Sequence, residues 1–256
     1  MGRRGSRATN SPANLQLGTF HPRLRPPAAP TNATPWAVTS SAGLTLTRGN
    51  SRTLLGVAKT TADKKWDQGK DELSLDADAT YGSTTLNGVN QTTADQIHGF
   101  AQYNRLFTDR FYGYFRAEGL HDQVASIDMR LTVGPGVGYY VMKETNTTLR
   151  AEAGAAYVDE KDRVQADSWR SYETLRLAEN FEHKFSPHAR VWESVEILPQ
   201  VDKFSNYILN AEIGVESTLT KKLSQQIYLQ DFYHSDPAAG RLKNDVKLVA
   251  ALAYKF

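Results

Sequence analysis

From Trp36 to Phe256 the chain changes character at every second residue. Tyr207, Leu209, Ala211, Ile213, Val215, Ser217 and Leu219 share one parity, while Asn210, Glu212, Gly214 and Glu216 share the other. Such alternation marks a strand with one apolar and one polar face. Leu73, Leu75, Ala77, Ala79 and Tyr81 repeat it against Glu72, Ser74, Asp76 and Asp78. So do Leu149 to Tyr157 against Arg150, Glu152 and Gly154, and Met129 to Val141 against Arg130, Thr132 and three glycines. The runs predict about twelve strands, at 38–47, 51–65, 71–83, 93–104, 111–122, 128–142, 147–158, 169–185, 190–199, 206–219, 223–234 and 242–256. No helical period of any length is present. Strands of this length exceed the soluble average of about 5–6 residues and reach the 9–11 needed to cross a bilayer when tilted.

Composition narrows the choice. The 256 residues include no cysteine, which excludes disulfides, thiolate catalysis, iron–sulfur clusters and Cys-based zinc sites. Lys plus Arg is 30 and Asp plus Glu is 28, without the basic excess of a nucleic-acid binder. Mean hydropathy is −0.51, and no apolar run is long enough for a membrane helix. A membrane β-barrel escapes that test, because its strands alternate. The expected fold is all-β, an antiparallel up-and-down transmembrane β-barrel over residues 36–256. Residues 1–35 stand apart. They carry Arg3, Arg4, Arg7, Arg23 and Arg25, no acidic residue and six of the ten prolines. Removing those five charges leaves 25 basic residues against 28 acidic, a net charge of −3 for the rest. The segment reads as disordered. It lacks the apolar run of a secretory signal, and both a transit peptide and upstream sequence outside the mature protein fit it.

In a barrel the polar parity faces the lumen. The expected lumen charges are Arg116, Glu118, Arg130, Arg150, Glu152, Arg176, Glu212 and Glu216, with Arg116 and Glu118 placed near Arg130 and Arg150 across neighbouring strands. Trp66, Tyr81, Tyr103, Tyr139, Tyr157, Trp169, Tyr207 and Tyr254 fall at strand ends, as interfacial girdles do. Connections alternate between short turns (LFTDR, KETN, SPHA, TKK) and longer polar loops (LNGVNQT, DQVAS, DEKDRVQADS, PQVDKFS, SDPAAGR), although RGNS is tight where a long loop is expected. An even strand count puts both chain ends on the short-turn, periplasmic side. The chain ends on alternating Leu252, Tyr254 and Phe256, the form of a C-terminal signal read by the outer-membrane barrel-assembly machinery.

The stretches GLTLTRGNS, RAEGLHDQVASIDMRLTVGPGVGYYV, LRAEAGAAYVDE and DPAAGRLKNDVKLVAALAYKF together resemble one bacterial family, domain of unknown function 481. Its members are often labelled salt-induced outer-membrane proteins. The resemblance spans roughly residues 40–256 and implies a barrel in a Gram-negative outer membrane, without an established activity and with a salt-stress association carried only by the label.

Candidate chemistry is sparse. GPGVG at 134–138 lies within a strand rather than before a helix, so its glycines let the strand bend or let bulky neighbours such as Tyr114 or Arg150 pack close, rather than bind phosphate. His121, Asp122 and Asp128, and separately His234 and Asp236, have the donors for a divalent cation but read as solvated loop charges. His98 and Ser126 sit on different elements without a hydrolase signature. The expectation is a non-enzymatic porin-like barrel, with no catalytic residue, metal or cofactor. Its partners are outer-membrane lipid, small ions or solutes, and no nucleic acid. Its lumen is a narrow pore or is closed by ion pairs. The alternatives are a barrel-wall lipid-modifying enzyme and a soluble ligand-binding β-barrel.

Overall fold

The computed structural model describes residues 35–48, 51–86, 88–162, 169–237 and 242–256. The basic, proline-rich segment of residues 1–34, the tip of RGNS, most of DEKDRVQADS and part of SDPAAGR lie outside the described residues.

Twelve antiparallel strands close on themselves: β1 (Ala37–Arg48), β2 (Ser51–Trp66), β3 (Asp71–Leu86), β4 (Val89–Leu106), β5 (Phe111–Asp122), β6 (Ile127–Lys143), β7 (Thr147–Asp162), β8 (Trp169–Ser186), β9 (Ala189–Pro199), β10 (Tyr207–Thr218), β11 (Leu223–His234) and β12 (Asn244–Lys255). Each strand neighbours the next in sequence, and β12 returns to β1. The up-and-down barrel expected from the alternation is therefore present, with strand limits mostly within three residues of those read from period two. Two stretches differ, one of them at Asp159–Asp162, where β7 runs on into the start of the expected DEKDRVQADS loop. LNGVNQT was expected to be a long loop, but β3 and β4 run on to Leu86 and from Val89 around a tight turn. Gly88 sits there at φ +79°, a backbone conformation that glycine adopts without steric cost. Asn90 and Thr85 bond across it at 3.3 Å, so polar residues that looked like a loop extend the hairpin.

The two parities find two environments. Leu75, Ile97, Phe115, Leu131, Leu177, Ile213, Val215, Leu229, Leu248 and Leu252 stand exposed on the outer face. Glu179 and Glu193 interrupt that face on β8 and β9. Among the expected girdle aromatics, Tyr81, Tyr103, Tyr139, Tyr157, Trp169 and Tyr254 are exposed. Trp66 stacks on Tyr103 with ring centroids 6.0 Å apart, and Tyr207 stacks on Tyr233 at 5.5 Å. A barrel with this outer band is built for hydrocarbon rather than water.

Inside, the small residues of β6 make room for large ones. Tyr112 and Tyr114 of β5 are buried, and their rings occupy the volume that a Cβ at Gly138 and Gly136, respectively, would need. Gly154 of β7 likewise faces the Tyr114 hydroxyl. The glycines of GPGVG thus accept neighbouring rings, the packing alternative of the two that their place within a strand offered. Overpacking of this kind costs about 1–3 kcal/mol. Gly138→Ala is expected to lower unfolding stability in urea by that amount. Gly119→Ala on β5, where nothing lies within 4 Å of the new methyl, is expected to leave it nearly unchanged.

Candidate functional site: a charged lumen

The polar parity encloses an interior cavity of about 1090 Å³. Its lining includes Lys65 and Lys184 near the chain-terminal rim and Asp122, Pro237 and Leu242 near the opposite one. Arg116, Glu118, Arg130, Arg150, Glu152, Arg176 and Glu212 all line it. Glu216 is buried beside it, 3% exposed, and accepts bonds from Arg190, Gln226 and Lys255.

Their pairing differs from the simple neighbour rule. Arg116 and Glu118 bond each other along one strand, with Nη2 to Oε2 at 2.7 Å, and the Arg116 guanidinium lies 3.7 Å from the Phe100 ring centroid. Arg130 does not meet Glu118, because the β5–β6 register sets it opposite Leu120. It pairs instead with Glu160 of β7 at 2.5 Å. Arg176 bonds Glu152 at 2.7 Å and also holds Glu196, while its Nη1 donates to the Tyr114 hydroxyl at 3.0 Å. Arg150 lies in the field of Glu152, Glu72, Tyr112 and Tyr140.

Some contacts bridge strands that are not neighbours in the wall. Lys59 of β2 lies 3.4 Å from Asp76 on β3 and 3.5 Å from Glu212 on β10. The Tyr140 hydroxyl of β6 donates to Glu72 of β3 at 2.9 Å. Gln102 of β4 donates to Glu152 of β7 at 2.9 Å, and Lys247 of β12 holds Gln96 of β4. These are struts through the lumen. They subdivide the interior and satisfy charges that hydrocarbon and close packing would otherwise leave costly.

His98, considered from sequence only as a catalytic base, faces the lumen. Its Nδ1 lies 2.9 Å from Asp78 and its Nε2 3.3 Å from Glu118. Asp76, Asp78 and His98 bring ligand-type atoms within 4.8 Å of one another, but both imidazole nitrogens and Asp76 are already engaged by protein groups. Ser126 sits in the β5–β6 loop, off the lipid side, so His98 and Ser126 do not form the outward-facing dyad that a barrel-wall hydrolase needs. The loop candidates also carry separate partners. The His121 ring bonds the Asp128 carbonyl at 2.6 Å, Asp122 accepts the Ala125 amide at 2.8 Å, and Asp128 faces Lys161 at 3.4 Å. Asp236 pairs with Lys203 at 3.2 Å, whose ammonium holds the carboxyl below its ordinary range. His234 has a buried Nε2 without a hydrogen-bond partner among the described residues.

Sequence reading overlooked Arg190, Glu196, Glu160 and Lys255, although Arg190, Trp192, Ser194 and Glu196 alternate with Val191, Glu193 and Val195 in a usable period-two signal. Breaking a buried pair leaves an uncompensated charge and costs about 3–5 kcal/mol. Glu152→Ala is expected to lose that much unfolding stability, since Glu152 serves Arg176, Tyr112 and Gln102 at once. Lys203→Ala, at an exposed pair, is expected to lose less than about 1 kcal/mol.

The barrel is similar in fold to an outer membrane channel from Pseudomonas putida F1, at 10% identity over 90% of this chain and 97% of that one, with a TM-score of 0.51. Weaker likenesses are to the NanC porin, at 8% identity over 85% and 98% with a TM-score of 0.49, and to the translocator domain of the autotransporter NalP from Neisseria meningitidis, at 15% over 86% and 87% with a TM-score of 0.45. No curated protein matches the sequence. Residues 40–256 match the model of the family described as protein of unknown function, DUF481, and the chain belongs to that family.

Proposed function

We propose that this protein is a narrow, non-enzymatic pore of a Gram-negative outer membrane, passing small ions or solutes through a charged lumen. The observation that carries the reading is the cavity of about 1090 Å³, lined by charges of both signs and by residues from both rims. Its width is limited by Lys59–Glu212, Lys247–Gln96 and Tyr140–Glu72, which favours small permeants over bulky ones. The apolar outer band supports insertion in lipid, and the alternating Leu252, Tyr254 and Phe256 support delivery by the barrel-assembly machinery. Residues 1–35 form a separate N-terminal segment in this reading, and a role under salt or osmotic stress belongs to the same proposal.

Planar-bilayer recording of the refolded full chain, after heat-modifiable migration on a gel, is the test. Discrete conductance steps with an ion preference are expected. Arg130→Ala and Arg150→Ala remove lumen cations and are expected to shift the reversal potential toward cation preference. Lys59→Ala removes one strut and is expected to raise unitary conductance. Stable insertion without any steps in the parent and in Lys59→Ala would replace the pore with a closed structural barrel.

A further inference from the structure

The lipid-facing wall is not even. Across β6 to β9 it sinks into a trough of about 610 Å³. Register sets the trough out in rungs: Tyr139 of β6, Ala151 of β7 and Glu179 of β8 share one, and Val137, Ala153 and Leu177 share the next. The depression has a simple cause. β7 presents only alanine methyls to the outside, at Ala151, Ala153 and Ala155, where its neighbours present exposed Tyr139, Val137 and Leu177.

One wall of the trough carries a charge. Glu179 is exposed between Leu177 and Phe181 on its own strand, and stands opposite Ala151 and Val195 on the neighbouring ones. Glu193 of β9 is exposed opposite Phe181 and Ile213, which makes it a diagonal neighbour of Glu179 on the same face. Neither carboxylate has an ion pair or side-chain hydrogen bond among the described residues. No Lys or Arg shares the outward parity on β8, β9 or β10. A carboxylate kept in a lipid-facing wall is costly unless a cation comes to it, so its partner has to be sought outside the chain.

A second copy of this chain does not supply that cation. Two-fold docking through this face sets Glu179 and Glu193 against the same carboxylates of the partner, and like charges repel. A phospholipid with a primary-ammonium headgroup does supply it. The rung that holds Glu179 is the one nearer the chain-terminal rim, and exposed Phe111 and Tyr139 of the aromatic girdle line the trough beside it. Glu179 therefore lies at the depth where headgroups begin, while the alanine floor runs on toward the membrane centre. We propose that the trough is a binding site for one such lipid. Its ammonium donates to Glu179 and Glu193, and one acyl chain lies on Ala151 and Ala153 between Val137 and Leu177. The site is on the outside of the wall and stands whether or not the lumen conducts.

Native mass spectrometry of the refolded full chain tests this, in detergent micelles holding equal amounts of phosphatidylethanolamine and phosphatidylglycerol with the same acyl chains. One retained phosphatidylethanolamine per chain is expected, favoured over phosphatidylglycerol by about fivefold, the worth of a good exposed ion pair. In the double variant Glu179→Gln with Glu193→Gln, that preference is expected to vanish while lipid of both kinds is still retained. Ala153→Phe fills the floor of the trough and is expected to lose retained lipid of either kind. Heat-modifiable migration on a gel reports that each variant is folded. Equal retention of the two lipids by the parent, or a preference that survives both glutamine substitutions, overturns the charge-matched site. Unchanged retention in Ala153→Phe overturns its placement in the trough. A dimer that Ala153→Phe dissociates gives the face to a second copy instead and overturns the lipid site.

Discussion

In hydrocarbon a peptide group has only other peptide groups to bond. A strand in a membrane must therefore pair on both edges, and twelve strands can all do so only as a ring. Closure fixes everything else about this chain. It forces alternate side chains to opposite faces and sends one set to lipid and the other to a shared interior. The interior then has to accommodate whatever that parity carries, from buried Tyr112 and Tyr114 to Arg130 and Arg176. The glycines of β6 are a direct product of this geometry, because two neighbouring strands cannot both place bulk inward at one height.

The charged interior follows from the same constraint. A buried guanidinium is tolerable only when carboxylates or phenols surround it, and Arg176 has Glu152, Glu196 and Tyr114. Because the facing walls lie close, the groups that satisfy one wall come from another. Lys59, Glu72, Gln102 and Lys247 therefore serve as cross-braces as well as lining residues. The width of the lumen and the rigidity of the wall draw on the same side chains, so a substitution that widens the lumen also loosens the wall.

Period two made the strands, their number and their faces legible, because burial against two different solvents writes that period directly into residue choice. Hence Arg116, Glu118, Glu152 and Glu212 could be assigned to the inside from sequence. Their partners could not. Which residue meets Arg130 depends on strand register and tilt, and the β5–β6 register offers Leu120 while β7 offers Glu160. Contacts through the lumen, such as Lys59 with Glu212, link positions far apart in sequence and four steps apart in the ring, where no local pattern reports distance. The hairpin at Leu86–Val89 was missed for a different reason. Near the rim both faces of a strand meet polar surroundings, so the alternation fades before the hydrogen bonding does.

The placement of the β1–β12 ladder has a topological consequence. All of its five residue pairs draw their β12 member from Ala251 to Lys255, within the last six residues of the chain. A chain lacking those six would keep the pairings from β1 to β11 and the Ile227–Tyr233 part of the β11–β12 ladder, and would be an open sheet. Whether this polypeptide is a ring or a ribbon is thus decided at its extreme C-terminus, on the strand segment that presents Leu252 and Tyr254 to the membrane. In that segment, a substitution that breaks the pairing with β1 opens the ring, whatever the other eleven strands do.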